Sequence, residues 1–196
     1  MEVTIHNTLG NWDYTMNNKW VGDQFSVPNL SKGYHGILKQ WWDKDIENFK
    51  NCLLISENNN VKDRFKTVYP STEFKTLDFY PEMNHDVDLK YNLCDSWDTS
   101  TMEKFDCIIS QATFEHLYDP VTSLKNLAGL LNEGGKLYIH THVPGFEYHQ
   151  YPRDYFRFYP DWFVDAETFV GNIKIEEMCV VDFHIFVSYV KGKTNE

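Results

Sequence analysis

No two of the four cysteines, Cys52, Cys94, Cys107 and Cys179, stand in a CxxC pair. That spacing argues against a zinc knuckle or a redox dithiol. Three of the four lie within apolar runs, where a thiol behaves as a small hydrophobe, so all four are read as reduced core residues. Runs of lysine and arginine are also missing. Asp and Glu number 29 against 18 Lys and Arg, a net charge of −11. Broad phosphate-backbone binding draws on concentrated cations, so no nucleic-acid partner is expected. No apolar run approaches the roughly 20 residues of a membrane-spanning helix, and no membrane partner is expected. The first residues lack a basic segment followed by an apolar stretch, the mark of a signal peptide. The expectation is a cytoplasmic, soluble protein. Internal repeats and low-complexity tracts are absent.

What is present fits one domain: 196 residues, 42% apolar and 24% charged. Aromatics reach 16% and cluster near Tyr148–Phe163, which suggests a lined pocket or a thick local core. Residues 1–35 are polar and aromatic without clear periodicity and read as an N-terminal arm or lid; residues 36–196 read as a single domain. From Gly36, the residues Ile37, Leu38, Trp41, Trp42, Ile46 and Phe49 recur at helical spacing. Strands and helices then alternate. "NCLLIS" is a continuous apolar run, as in a buried parallel strand. Val61–Tyr69 reads as a helix closed by Pro70. "EFKTLDF", "VDLKYNL" and "FDCIIS" are further strands. "PVTSLKNLAGLLNEGG" is an amphipathic helix with Pro120 at its start and Gly134–Gly135 at its end. "KLYIHTHV" is a fifth strand, and "KIEEMCVVDFH" with "IFVSYVKG" an antiparallel closing pair. This alternation predicts an α/β domain, an open and mostly parallel sheet with helices on both faces.

Such sheets bind ligands at the carboxyl ends of their strands. The residues just past each strand are therefore the candidates: Ser56, Glu57 and Asn58; Asp78; Asp95, Ser96 and Trp97; Ser110 and Gln111; then Thr141, His142 and Pro144. A carboxylate at the end of the second strand can accept hydrogen bonds from both hydroxyls of a ribose. Asp78 is placed for that, or for a turn before Pro81. Asp95 and Trp97 can hydrogen-bond to and stack on a purine, or form a capping turn.

Two stretches resemble one family. "FDCIISQATFEHLYDPVTSLKNLAGLLNEGGKLYIHT" is similar to the fourth strand, Glu-His turn, helix, Gly-Gly turn and fifth strand of class I S-adenosylmethionine-dependent methyltransferases of the small, type 11-like kind. "HVPGFEYHQYPRDYFRFYPDWF" resembles a subgroup whose fifth strand leads into a Pro-Gly turn, a His, Tyr-Pro, Asp, an aromatic and Arg-Phe. The resemblance implies a Rossmann-like, seven-stranded methyltransferase sheet with an antiparallel last strand, and S-adenosylmethionine lying across the strand tips. It implies ribose contact at Asp78, a place beside the adenine for Asp95, and the methionine moiety near Ser110 and Gln111; Ser96 and Trp97 are cofactor candidates by their place after the third strand. The departure is at the first strand. Where the family has an acid, an apolar residue, Gly, any residue and Gly, this chain has Leu54, Ile55, Ser56, Glu57 and Asn58. Asn tolerates left-handed backbone best among these, so Asn58 is expected to hold the turn, with Ser56 crowding the cofactor and Glu57 near its amino end.

His140 and His142 share a strand face at period two, with Glu147 and His149 close behind. The spacing is compatible with a metal, but the resemblance places His142 and His149 in a loop where no metal is implied, and none is expected. His142 and His149 are instead the candidate bases for a substrate hydroxyl. Tyr151, Arg153 and Arg157 are candidate substrate-binding residues; alternatively Arg157 pairs with Asp154 to fix the loop. Glu115 and His116 read as mainly structural. The function expected is methyl transfer to a small-molecule or glycan acceptor, with a catalytically silent scaffold subunit as the alternative. A homodimer is left open.

Overall fold

The computed structural model describes residues 4–6, 35–78, 86–150, 152–181 and 183–192. Most of the expected arm, and Tyr151, lie outside the described residues. In chain order the elements are β1 (Thr4–His6), α1 (His35–Asp45), β2 (Asn51–Ile55), α2 (Asn59–Val68), β3 (Glu73–Asp78), β4 (Leu89–Lys90), β5 (Phe105–Gln111), α3 (Pro120–Leu130), β6 (Leu131–His142), α4 (Pro160–Val170), β7 (Ile173–Val181) and β8 (His184–Lys191).

One sheet runs in the order β1-β7-β8-β6-β5-β2-β3-β4. The strands are parallel except β8, which is antiparallel to both β6 and β7. The mostly parallel, seven-stranded sheet with a reversed last strand is therefore present, and β1 adds an eighth strand beside β7. Alternate side chains of each strand feed two cores. On β2, Leu53 and Ile55 join one cluster with Leu124, Leu127 and Phe163 from α3 and α4. Cys52 and Leu54 point the other way, onto Leu38, Trp41 and Trp42 of α1. Period two on the strands thus meets period 3.6 on helices at both faces.

Local chemistry sets the boundaries. Asp119 caps α3 by accepting from the Thr122 N–H at 3.0 Å, and Pro120 occupies the first turn, where no N–H is needed. Two expectations shift. The helix α3 stops at Leu130 rather than at Gly134–Gly135; those glycines lie inside the long lead-in of β6. A Cβ at Gly135 would come within 2.9 Å of the Asn132 carbonyl, so backbone closure rather than helix termination requires it. The third expected strand shrinks to Leu89–Lys90, whose side chains are at most half-buried. The helix α4, which sequence periodicity did not single out, holds part of the aromatic excess: Phe163 is fully buried against Phe158 and Trp162. The four cysteines are free thiols, all buried, and burial pushes the Cys179 thiol up to about 12. No helix among the described residues is long and apolar enough to cross a membrane.

Candidate active site

Parallel strands β2 to β6 bring Ile55, Asp78, Lys90, Gln111 and His142 to one rim. Because β8 runs backwards, its first residue, His184, arrives at the same rim, opposite His142.

The turn after β2 is built differently from the expectation. Ser56, not Asn58, takes the left-handed backbone, with φ +56°. Asn58 is extended (φ −96°, ψ 172°) and its side chain caps α2, accepting from the Val61 N–H at 3.2 Å. The physical reason is that a helix begins one residue later. An Asn there does more as an N-cap than as a turn residue. The Ser56 N–H donates to the Leu77 carbonyl at 2.8 Å, holding the bend against β3. The other described non-glycine residue with positive φ is Ala112 (φ +47°), just past β5, which pairs directly with β2. The two such conformations thus lie just past neighbouring strands at one rim.

Asp78 ends β3 and is 8% exposed. Asp95 and Ser96 are exposed in the loop after β4. Asn92 and Asn126 tie that loop down: Asn126 Nδ2 donates to the carbonyls of Leu93 and Asp95 at 2.8 and 2.7 Å. The Trp97 indole N–H donates to the Asn92 carbonyl at 3.1 Å, which holds the loop, and its ring packs against Tyr91. Ser110 is fully buried with no hydrogen-bond partner for its hydroxyl. Gln111 and Glu57 are half-buried on the same rim.

Beyond β5 a single-turn helix, Phe114–His116, places Glu115 at the centre of the histidine-rich region. Glu115 is 0% exposed. Its Oε2 accepts from the Thr141 hydroxyl at 2.6 Å. Its Oε1 lies 2.7 Å from His142 Nδ1 and 3.8 Å from both His116 Nε2 and His149 Nε2. None of these contacts completes a hydrogen bond to Oε1, the two at 3.8 Å being too long for one. Burial pushes the Glu115 carboxyl up, but the His142 ring and the Thr141 hydroxyl outweigh it, and the acid is held below its ordinary range. His140 and His142 do share a face, and His140 Nε2 lies 2.9 Å from His184 Nδ1. His142 stacks on Phe146 with ring centroids 3.7 Å apart. Glu147 is exposed and outside the cluster.

Arg157 pairs with Asp154, the alternative to a substrate clamp. Its guanidinium meets both oxygens of Asp154 and donates as well to the carbonyls of Phe146, Glu147 and Phe156, at 3.2, 2.7 and 2.7 Å. Every N–H of the fork has an acceptor within the loop. Asp154 in turn accepts from the His149 N–H at 2.8 Å, and the guanidinium holds its carboxyl down at about 2. The loop 143–159 is thus fixed from inside. Gly145 (φ +107°) makes its sharp bend, where a Cβ would strike the Phe183 ring at 2.6 Å. Arg153 is exposed, and its carbonyl accepts from His116 Nδ1.

The structure also brings Glu115, His116 and His184 to this rim, and sequence reasoning did not place them there as candidates. Glu115 and His116 follow directly on the fourth strand, at the position where rim residues were sought. An antiparallel closing pair also implies that the start of its second strand, His184, returns to that rim.

A parallel sheet closed by an antiparallel strand, with ligand-competent turns after β2, β3 and β5, is the fold of class I S-adenosylmethionine-dependent methyltransferases. A family described as "Methyltransferase domain" matches residues 67–139. Among curated proteins, no sequence matches the chain. Among solved structures, an O-methyltransferase family protein from Burkholderia thailandensis is similar, with a TM-score of 0.57 and 10% identity over 81% of this chain and 57% of its own. The N-terminal domain of EvdMO1 with SAH bound has a TM-score of 0.57 at 12% identity, covering 92% of this chain and 90% of that one. Human N-acetylserotonin methyltransferase in complex with SAM has a TM-score of 0.54 at 11% identity, over 82% of this chain and 55% of its own. The chain spans little more than half the length of the Burkholderia and human proteins.

Proposed function

We propose that the protein transfers a methyl group from S-adenosylmethionine to an oxygen of a small polar acceptor, a hydroxyl of a sugar or similar metabolite. The observation that carries this reading is the buried Glu115 carboxylate 2.7 Å from His142 on the rim beside the cofactor turn. The residues present fit the cofactor. Asp78 offers a carboxylate to a ribose, Ser56 bends the backbone as a glycine would, and the Ser110 hydroxyl is buried with a hydrogen-bonding capacity to spare.

When bound, S-adenosylmethionine supplies a sulfonium-activated methyl group. The chain must orient the acceptor and take its proton. His142 accepts that proton while Glu115, ionised, stabilises the imidazolium. His149, one third exposed, sits at the outer side of the pair and is the second candidate for acceptor contact. Exposed rings at Tyr148, Tyr155 and Phe156 offer apolar faces beside it.

The test is calorimetric titration of the pure protein with S-adenosylmethionine and S-adenosylhomocysteine. Binding of both is expected, with Asp78→Ala weakening it by about tenfold or more. Silence with both ligands at high concentration would favour the scaffold alternative, which the loss of the acid and both glycines from the first-strand motif supports.

A further inference from the structure

The Glu115 Oε1 atom poses a problem that the methyl-transfer reading leaves open. It is a buried, ionised carboxylate oxygen ringed by three imidazole nitrogens, yet none of them completes a hydrogen bond to it. A buried charge of this kind is normally paired, hydrogen-bonded or bound to a metal.

We propose that Glu115, His116 and His149 form a binding site for a first-row divalent cation such as Zn²⁺. Three observations carry it. First, one ligand atom from each of the three lies within 4.8 Å of the others. Both Nε2 atoms are 3.8 Å from Glu115 Oε1. Ligands about 2.0–2.2 Å from a zinc ion sit roughly 3.4 Å apart in a tetrahedral site, so each nitrogen need close on Oε1 by only a few tenths of an ångström. Second, the tautomer of His116 is set. Its Nδ1 faces the Arg153 carbonyl, which can only accept, so Nδ1 carries the proton and Nε2 is the nitrogen on the Glu115 side. Third, Asp154, an acid fixed by the Arg157 fork, holds His149 in place: it accepts from the His149 N–H at 2.8 Å, and its Oδ2 lies 3.5 Å from Nδ1 without a hydrogen bond to it, with Nε2 toward Glu115. Outer carbonyls and carboxylates of this kind orient metal-ligating histidines. Two imidazoles and one carboxylate favour zinc or a neighbouring transition metal over Mg²⁺, which prefers oxygen donors. His142 is not among the three ligands, but its Nδ1 lies 2.7 Å from the same Glu115 Oε1, so a bound cation and a protonated His142 compete for that oxygen, and the base role proposed above belongs to the metal-free protein.

The test is calorimetric titration of chelator-stripped protein with Zn²⁺ and, separately, Mg²⁺. About one zinc per chain is expected, with no heat from Mg²⁺. His116→Ala and His149→Ala are each expected to weaken zinc by more than about tenfold. His149 lies in a loop and is one third exposed, so its variant keeps the fold; circular dichroism checks that for both. His184→Ala is the control for the neighbouring trio of His140, His142 and His184. The assignment is overturned by absence of zinc binding, by equal affinity in wild type and both ligand variants, or by loss in His184→Ala alone. Zinc bound as expected by a protein that binds no S-adenosylhomocysteine would uphold this site and sink the methyltransferase reading.

Discussion

Glu115 Oε1 and His142 Nδ1 lie 2.7 Å apart, although one residue follows β5 and the other ends β6. The pairing joins two adjacent parallel strands at the rim and is shielded from water. Replacing Glu115 by Gln preserves shape and the Thr141 contact while removing the charge. Unfolding in urea should show a loss of about 1–3 kcal/mol. A change below about 0.5 kcal/mol would mean that the carboxylate is not ionised or not paired in the folded state. In the methyl-transfer reading, the same variant should lower turnover by about a hundredfold with little change in S-adenosylhomocysteine affinity.

Ser56 holds a conformation that glycine adopts freely. A side chain at left-handed φ costs about 1–2 kcal/mol, partly offset by the entropy a glycine loses on folding. Ser56→Gly should therefore raise stability by about 0.5–1 kcal/mol, and Ser56→Val should lower it by at least as much. Thermal unfolding of both variants reads this directly. Cofactor affinity in Ser56→Gly should be equal or better, since the smaller residue opens the approach. If Ser56→Gly is the less stable protein, the hydroxyl has a role that the backbone angle does not reveal.

These two residues also mark what the sequence made legible. The alternation of apolar runs and amphipathic stretches was enough for the sheet, its helices and the reversed last strand, because burial on both faces leaves a strong periodic signal. Asp78 was a candidate because the end of a strand is a definable place, and it does end β3. The turn at Ser56 was misjudged because Asn58 has two good local options, and capping α2 wins over bending. The surroundings of Glu115 were not legible, because nothing local distinguishes an acid on its own from one that three histidines surround. Its neighbours come from Thr141, His142 and His149, up to 34 positions away, and only the β5–β6 pairing brings them together.

Arg157 and Arg153 look equivalent in "YPRDYFRF" and are not. Arg157 uses its whole guanidinium to hold Asp154 and three carbonyls. Arg157→Ala should cost about 2–3 kcal/mol and expose the loop 143–159 to limited proteolysis. Arg157→Lys should rescue little, because an ammonium cannot form the planar two-point contact. Arg153→Ala, at an exposed position, should stay within about 0.5 kcal/mol of wild type. Equal effects at the two arginines would contradict the pairing.

The outer edge of the sheet has its own acid-sensitive clamp. β4 contributes only two residues to its ladder with β3, pairing Leu77 with Leu89 and Asp78 with Lys90. Asp88, just before it, compensates: both its oxygens lie 2.7 Å from Lys62 Nζ, and it accepts from the Thr76 N–H at 2.9 Å. Burial pushes the Asp88 carboxyl up, but Lys62 and Thr76 more than offset it, so its folded-state pKa lies below the ordinary value. A depressed carboxylate stabilises fully above the unfolded-state pKa of about 3.9, and that stability is lost as pH falls through the lower folded value. Near neutral pH, Asp88→Asn should be less stable than wild type by about 2 kcal/mol, since it strands the buried Lys62. That gap should shrink steadily once pH drops below about 4. Because Asp78 sits at this same edge, affinity for S-adenosylhomocysteine should fall in the variant at neutral pH as well. Urea unfolding of both proteins at neutral pH and at successively lower pH measures the gap; a gap independent of pH would show that Asp88 acts through shape rather than charge.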